Sequence, residues 1–270
     1  MQKFNKTITA AQTQDYLLTV LGTKKNSFVN NLTALVSNNT KLQECEPVSL
    51  MYAGIKATAL DLPLDPNLGF AYVIPYKNNK EGKTEAQFQI GYKGFIQLAI
   101  RTGWFEIINA TDIRQGELVS HDLITGEINF QAAENREELP IIGYASFFRL
   151  KNGFRKYLYM SVKDIEGHAK RYSQSFASKF DNIRQSSKWA TDFDAMALKT
   201  VLKLVLSRYA PLSIEMRDAI AADQAILEEG GMKYIDNNAE FADIENAVEV
   251  QKEDMREAAK AGTNTAPEMM

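Results

Sequence analysis

Residues 70–102 place two short strands directly before a glycine-bracketed turn and a helix, and this order constrains the fold more than any other segment. Phe70 to Tyr76 is an apolar run, and Ala86 to Ile90 is a second run that follows a polar turn. Gly91-Tyr92-Lys93-Gly94 then leads into an apolar helix over 94–102. Two apolar runs separated by a polar turn predict a β-hairpin, whose second strand should run straight into the helix.

The turn itself has two interpretations. Tyr92 and Lys93 stand between two glycines. Glycine lets a backbone approach a ligand closely, and an aromatic ring beside a cation suits a nucleic-acid base beside its phosphate. The structural alternative is that the glycines serve a bend where the hairpin meets the helix. A GxxG pattern alone does not decide between the two.

Charge is distributed unevenly along the 270 residues, although the net charge is only −3. Residues 221–270 hold 12 acidic and 4 basic side chains, whereas residues 151–217 hold 13 basic and 6 acidic ones. The stretch 173–188 interleaves basic residues with Phe176 and Phe180. A basic body with an acidic tail is the layout of many nucleic-acid binders, and a solvated surface with a disordered acidic end is the alternative.

Several chemistries are disfavoured by residue counts and spacing. Cys45 is the only cysteine, so it cannot form an internal disulfide and fits a reducing cytosol. With only two histidines beside it, a structural zinc site of four ligands is excluded. Gly82-Lys83-Thr84 resembles the end of a Walker loop, but position 77 is lysine rather than glycine. No apolar run approaches the ~18 residues that span a bilayer, and the N-terminus lacks a signal-peptide pattern.

We divide the chain into three parts. Residues 1–45 read as two helices, one ending before Gly22 and one capped at Asn26 or Ser27, which pack on the body or on a neighbouring subunit. Residues 46–231 are the predicted core. Residues 232–270 are acidic and weakly periodic, so a mostly flexible tail that binds a partner is expected.

Within the core, Ser49 is expected to cap a helix from Leu50 to Leu60, and Ser161 with Asp164 resembles a capping box. Beyond the first hairpin, the predicted strands are Trp104 to Ile113, Ile128 to Phe130, Ile141 to Leu150 and Phe154 to Met160.

Trp189 to Tyr209 is the longest predicted helix, and it is apolar on nearly all sides. Lys199 and Lys203 are its polar exceptions and share one face. A lysine pair on a buried helix is costly unless it reaches water or anions, so these side chains either meet phosphates or extend to bulk solvent. Ser213 to Glu229 reads as one further helix, ended by Gly230-Gly231.

Taken together, three motifs resemble the RecT family of phage and prophage single-strand annealing proteins. They are AYVIPY at 71–76, IGYKG at 90–94 with its following Arg101-Thr102-Gly103, and MALKT at 196–200. The resemblance extends from about Cys45 to Pro211. There are two departures: Leu60-Asp61-Leu62 replaces the family's leucine-glycine-leucine, and the basic residue that usually follows the lysine-threonine pair is reduced to Lys203.

The resemblance implies an α+β core, in which a small antiparallel meander of hairpins packs on a long buried helix. It implies ATP-independent binding of single-stranded DNA and annealing of complementary strands, without covalent chemistry or a required cofactor; Mg²⁺ would act through the DNA. It further implies a ring or helical filament of identical subunits, with a phage exonuclease and the host single-strand-binding protein as candidate partners, in the cytosol of a bacterial host.

Annealing needs cations that hold the DNA backbone while the base edges stay free, with stacking used sparingly. Tyrosines in the two motifs are candidates to stack on bases or wedge between them, or are amphipathic residues at the edge of the core. The side chains expected to contact DNA are Tyr76, Tyr92, Lys93, Arg101, Arg114, Lys188, Lys199 and Lys203.

Two alternatives from other classes remain open at this point. Glu81, Lys83 and Asp65 have the residue types of a metal-dependent nuclease site, although a turn tip is a poor place to hold a metal ligand rigidly. The other alternative is a structural phage protein that assembles but does not bind nucleic acid.

Overall fold

The computed structural model describes residues 1–78, 82–173, 175–223, 225–228 and 231–234. The fold is α+β, as predicted. Its helices are α1 (Gln2–Ile8), α2 (Ala11–Leu21), α3 (Lys25–Ser37), α4 (Thr40–Gln43), α5 (Pro47–Ala59), α6 (Tyr92–Arg101), α7 (Val162–Tyr172), α8 (Asp181–Gln185), α9 (Lys188–Thr191), α10 (Phe193–Tyr209) and α11 (Ile214–Ala222). Its strands are β1 (Ala71–Asn78), β2 (Lys83–Ile90), β3 (Phe105–Arg114), β4 (Leu118–His121), β5 (Ile128–Phe130), β6 (Ile141–Leu150), β7 (Arg155–Ser161), β8 (Ala225–Glu228) and β9 (Gly231–Tyr234).

The N-terminal helices belong to the main hydrophobic core. Phe4 of α1 and the α3 side chains Phe28 and Leu32 are buried in the same cluster as Leu202 of α10. Of the two expectations for residues 1–45, packing on the body of the same chain is therefore the one seen for these side chains. Burial of several large apolar side chains in one cluster supplies most of the stabilisation of a domain of this size.

The predicted hairpin is present, with β1 antiparallel to β2 and Ala71 opposite Ile90. Residue Ser49 ties it to α5, because the Ala86 amide donates to Ser49 Oγ at 2.8 Å. The expectation that Ser49 caps α5 is wrong: the helix begins at Pro47, and Ser49 Oγ donates to the Glu46 carbonyl. Pro47 is well suited to that position because it has no amide hydrogen to satisfy.

The second sheet has the order β3-β6-β7 and packs against α10. Tyr144 and Phe148 of β6 point into the core, and Ser146 Oγ donates to the Val201 carbonyl at 2.8 Å. The predicted capping box is confirmed at the start of α7, where Ser161 Oγ accepts from the Asp164 amide and Asp164 reaches back to the Ser161 amide.

Two predicted helices differ from the structure. The long helix is interrupted at Asp192, where the backbone leaves the helical region (φ −151°, ψ 59°), so Trp189 lies on the short α9. The helix predicted over 213–229 ends at Ala222, and residues 225–228 form a strand instead. Ser213 caps α11 as a serine at this position should. No helix in the described ranges is both long enough and apolar enough to cross a membrane.

Most of the predicted acidic tail, residues 235–270, lies outside the described residues.

Candidate nucleic-acid interface

The two glycines of the β2–α6 turn serve backbone packing. A Cβ on Gly91 would lie 2.2 Å from the Gly69 carbonyl oxygen, and a Cβ on Gly94 would lie 2.2 Å from the Phe70 carbonyl oxygen. Both distances are far below van der Waals contact, so no other residue fits. The chain entering β1 therefore crosses directly over the start of α6. Of the two interpretations of this turn, the geometry favours the structural one for the glycines.

The side chains between those glycines lie at the molecular surface. Lys93 is exposed and makes no ion pair with any residue in the described part of the chain. Tyr92 is half-buried against the core. Burial, then the electrostatic influence of Asp192 and of Tyr92, raises the phenolic pKa of Tyr72 on β1. Asp192 is the link between α9 and α10, so the IGYKG motif and the start of α10 share one neighbourhood.

A second group of unpaired cations lies just before that link. We define the basic segment as residues 175–191, which include α8 and α9. Lys179 and Lys188 are exposed here and have no carboxylate partner among the residues that the structure describes. Lys188 begins α9, the short helix that ends at Asp192, and the Lys93 side chain lies near Tyr72 beside Gly69. Both lysines are exposed positive charges open to an anion.

Phe180 is the exposed aromatic of the basic segment. It sits at the start of α8, its side chain is 69% exposed, and Lys179 precedes it directly. A large apolar ring left in water beside a cation suits stacking on a nucleic-acid base. The sequence pattern singled out this stretch but not this residue, because Phe176 has the same surroundings in the sequence. In the structure Phe176 packs against Trp189 instead.

Lys199 and Lys203 are buried rather than open to solvent, with 6% and 8% of their surface exposed. Lys199 Nζ lies 2.9 Å from Asp223 Oδ1, and Lys203 Nζ lies 3.3 Å from Asp223 Oδ2. In this arrangement their ammonium groups would reach a phosphate only if Asp223 moved away. Contact between these lysines and DNA stays a prediction.

Asp223 is the buried partner that sequence reasoning missed. Its Oδ1 also accepts from the Ile90 amide at 2.8 Å, so it joins α10, α11 and β2. Burial alone would raise the pKa of this carboxyl, but Lys199 and Lys203 outweigh that effect and lower it. The signal was the lysine pair itself: two buried cations need an anion, and the first acid after α11 is Asp223.

His168 of α7 faces the same cationic region. Burial, then the charges of Lys203, Arg208 and Arg171, lower its pKa from 6.5 to about 4. The imidazole is therefore neutral at physiological pH. Its ring lies 4.4 Å from the ring of Tyr172.

Arg101 holds the end of α5. Its guanidinium donates to the Leu60 and Asp61 carbonyl oxygens, both at 2.8 Å. Asp61 has a left-handed backbone (φ 51°), a conformation in which glycine is at ease. The sequence departs from the family pattern here, with aspartate in place of glycine. The backbone at this position is nevertheless one that glycine adopts easily. A DNA contact by Arg101 stays a prediction.

Arg114 belongs to an ion network at the end of β3. It donates to Asp112 Oδ2 at 2.8 Å and to the Leu139 carbonyl at 2.9 Å, and its side chain is mostly buried. Arg136 and the buried Glu117 complete the network, with 2.8 Å between Arg136 Nε and Glu117 Oε1. Burial raises the pKa of Glu117, and the Arg114 amide and Arg136 more than offset this, so the pKa is lowered.

Tyr76 is half-buried on β1, opposite Glu85 in the hairpin. It lies several residues along the strand from Tyr72, and its contact with DNA also stays a prediction.

Of the residues considered for a nuclease site, Glu81 lies outside the described residues. Asp65 Oδ1 accepts from the Asn67 amide at 2.9 Å, and Lys83 opens strand β2. Within the described ranges, no group of three histidine, cysteine or acidic side chains is placed to hold a metal ion. Nothing in the described structure therefore favours that alternative.

Comparison with known proteins adds the following. Residues 26–240 match the model of the RecT family. YqaK, an uncharacterized protein of Bacillus subtilis strain 168, is 39% identical over 240 residues, which are 88% of this chain and 78% of that protein. Protein RecT of Escherichia coli K12 is 30% identical over 185 residues, which are 68% of this chain and 65% of that protein, a little under two thirds of its length. The range of the family match includes both the basic segment and Asp223.

Proposed function

Since this chain belongs to the RecT family, we propose that it binds single-stranded DNA and anneals complementary strands in homologous recombination. Family membership supports a role in recombination by annealing. Direct binding of DNA by this chain, and annealing without ATP, are the finer parts of the proposal.

The observation that carries the proposal is the pairing of free cations with an exposed aromatic. Lys93, Lys179 and Lys188 are exposed and have no acidic partner in the described ranges. Phe180 directly follows Lys179, and most of its side chain is in water. Proteins that hold single strands without reading their sequence do so with cations at the phosphates and aromatic rings that stack on the bases.

The mechanism follows from polyelectrolyte physics. Two complementary strands repel each other, and each one folds on itself. Lysines at the phosphates release condensed counterions and lower that repulsion. Because these contacts are to the backbone, the base edges remain available to the incoming strand. A single stacked ring such as Phe180 would fix the register of the held strand without covering its bases.

No step of this mechanism makes or breaks a covalent bond, so we infer a DNA-binding protein rather than an enzyme. We also infer that annealing needs no nucleoside triphosphate. The Walker-like Gly82-Lys83-Thr84 lacks the glycine five positions earlier, and it leads into strand β2 rather than into a helix. Any Mg²⁺ effect would act through the DNA.

The proposal includes a ring or filament of identical subunits in the cytosol of a bacterial host. A phage exonuclease that supplies single strands and a host protein that coats them are partners of matching chemistry. Residues 235–270 hold nine acidic and three basic side chains, a balance that suits contact with a basic partner surface.

The test is fluorescence anisotropy of a labelled oligothymidylate at several salt concentrations, without nucleotide. The double variant Lys93→Ala/Lys188→Ala should bind more weakly and lower the magnitude of the salt slope by about 1.4, that is ~0.7 for each phosphate that is no longer neutralised. Lys6→Ala on α1 is the matched control, since Lys6 is also exposed and lacks an ion pair within the described residues. It should leave both quantities unchanged.

Annealing of two complementary oligonucleotides, followed in the same preparation, completes the test. Paired product in the presence of apyrase is expected. Cleaved strands in Mg²⁺ would support the nuclease alternative, and no binding at any salt concentration would support a structural protein.

A further inference from the structure

The β4–β5 hairpin ends in two bare aliphatic side chains. Leu123 and Ile124, at its tip, are 85% and 94% exposed. Turn tips are usually polar, because glycine, asparagine, aspartate and serine suit their backbone. A leucine and an isoleucine held side by side in water have no stabilising role within this chain.

The tip is held in a fixed position. Asp122 Oδ1 accepts from the Ile124 amide at 2.8 Å and from the Thr125 amide at 3.2 Å. The hairpin is tied to β7 because Lys156 Nζ donates to the Thr125 carbonyl at 2.7 Å, and Glu127 pairs with Arg155. The two aliphatic groups are therefore presented to solvent as a rigid projection, which loses little entropy on docking.

A second apolar surface lies on the N-terminal helices. We define the α2–α5 surface as Tyr16 and Val20 of α2 with Val48 and Tyr52 of α5. These four side chains are between 38% and 47% exposed. Burial, then the neighbouring Tyr52, raises the pKa of Tyr16, so these two side chains bring the two helices together in one patch. Residues four apart on a helix share a face, so each helix contributes a pair.

The stretches of sequence that contain the two surfaces carry opposite net charge. Residues 115–140, which include the hairpin, hold six acidic side chains and one basic one. Residues 1–60, which include the α2–α5 surface, hold six basic and three acidic side chains. An apolar projection in an acidic stretch of chain and an apolar patch in a basic stretch are complementary in both respects.

We propose that the hairpin tip of one subunit docks on the α2–α5 surface of the next copy of this chain. This assignment rests on the assembly of identical subunits in the proposed function and names the surfaces that form it. The contact is heterologous, since the two surfaces differ. Each subunit keeps one of them free after the other is used, so repetition gives a ring or an open filament rather than a closed dimer.

The first experiment measures mass distributions of the full chain by mass photometry, with and without oligothymidylate. Leu123→Ser/Ile124→Ser should shift the population towards the 30.3 kDa monomer. Its assembly midpoint should rise by about 100-fold, because two aliphatic side chains are no longer buried at the contact. Ile214→Ser is the matched control: it removes an aliphatic side chain that is 66% exposed and belongs to neither surface. It should leave the distribution unchanged.

The second experiment is a mixed cross-link in a Cys45→Ala background, which removes the single native thiol. Chains with Ile124→Cys and chains with Val48→Cys are mixed and oxidised. A disulfide-linked pair that forms much faster in the mixture than in either chain alone is the expected result.

An oligomeric wild type whose Ser variant assembles normally, or a mixture without the faster cross-link, would overturn the assignment of surfaces. A wild type that stays monomeric with and without DNA would also overturn it. Annealing is scored separately, so either outcome is compatible with an active annealing protein, and a failure of the proposed function is seen on its own.

Discussion

Lys199 of α10 donates to Asp223, just beyond α11, with 2.9 Å between Nζ and Oδ1, and both side chains are buried. Lys203 lies one helical turn further along α10 and faces the same carboxylate from its other oxygen. One anion therefore serves two buried cations, and the same anion closes the end of β2 through the Ile90 amide.

Removal of that anion should be costly. Asp223→Ala removes the carboxylate that both buried lysines face and should lower the free energy of unfolding by about 3–5 kcal/mol. Asp218→Ala, which removes an exposed acid of α11, is the control and should change the free energy of unfolding by less than about 0.5 kcal/mol. Urea denaturation followed by tryptophan fluorescence measures both. Equal stabilities for the two variants would mean that the lysines reach solvent.

The stability of the protein should fall as the pH falls from 7 to 5 because of His168. Its pKa is about 4 in the folded chain, against an ordinary value of 6.5, so the unfolded chain takes up the proton first. The neutral imidazole of His168 gives its full contribution to the free energy of unfolding above pH 6.5 and loses it progressively below that pH. At pH 5 the loss is about 2 kcal/mol. In His168→Gln this part of the pH dependence should disappear from denaturation curves recorded at each pH.

Two glycine-to-alanine variants should separate the effect of close packing from the effect of helix propensity on stability. Gly91→Ala forces a methyl group onto the Gly69 carbonyl oxygen and should cost several kcal/mol, more than about 3. Gly167→Ala on α7 meets no atom within 4 Å and should stabilise the protein by about 0.5–1 kcal/mol, because alanine favours a helix. Thermal unfolding of the two variants tests the contrast. A tolerated alanine at 91 would contradict the close backbone crossing.

Phe180→Ala should weaken binding to single-stranded DNA by about 1–3 kcal/mol, which is the usual value of one stacked base. The free energy of unfolding should stay the same, because most of this ring is already in water. Phe180→Tyr retains the π face and should bind normally, whereas Ile183→Ala removes an exposed aliphatic side chain of α8 and serves as the control. Anisotropy at constant salt gives the affinities; normal binding by the alanine variant would remove Phe180 from the interface.

Asp61→Gly should leave stability unchanged or raise it by up to about 1 kcal/mol. Glycine relieves the left-handed backbone, and Arg101 keeps its bonds because these go to main-chain oxygens. The ion pairs that this variant removes, to Lys24 at 3.4 Å and Arg101 at 3.8 Å, are exposed and weak. Asp61→Val should destabilise, because a β-branched side chain is strained there. A higher melting temperature for Asp61→Val than for Asp61→Gly would contradict this account.

Local patterns in the sequence predicted the local parts of this fold. The hairpin of β1 and β2 and the Ser161 capping box were readable because each is decided by residues only a few positions apart. The extent of α11 was not, because its end depends on Asp223 meeting Lys199 and the Ile90 amide, both distant in sequence. The break at Asp192 was hidden for the same reason: the apolar periodicity continues through it.

The candidate interface was predictable in outline only. Clustering of basic residues in the sequence marked the stretch in which the described structure leaves Lys179 and Lys188 exposed, since charge composition survives any fold. Which cations are free depends on tertiary pairing, and so Lys93 and Lys188 remain exposed whereas Lys199 is paired and buried. Phe176 and Phe180 look alike in the sequence, and only the packing of Trp189 against Phe176 separates them.

The bond between the Ile90 amide and Asp223 spans 133 residues of chain, and this has a consequence for synthesis on the ribosome. Translation proceeds at ~5–20 residues per second, so the hairpin waits on the order of 10 s for its last acceptor. Lys199 is made only 24 residues before Asp223, so the buried lysine pair meets this carboxylate at the end of that interval. A nascent chain is thus held back from its final packing until almost the whole core has been made, and products that terminate before residue 223 should be cleared by proteases rather than accumulate as partial subunits.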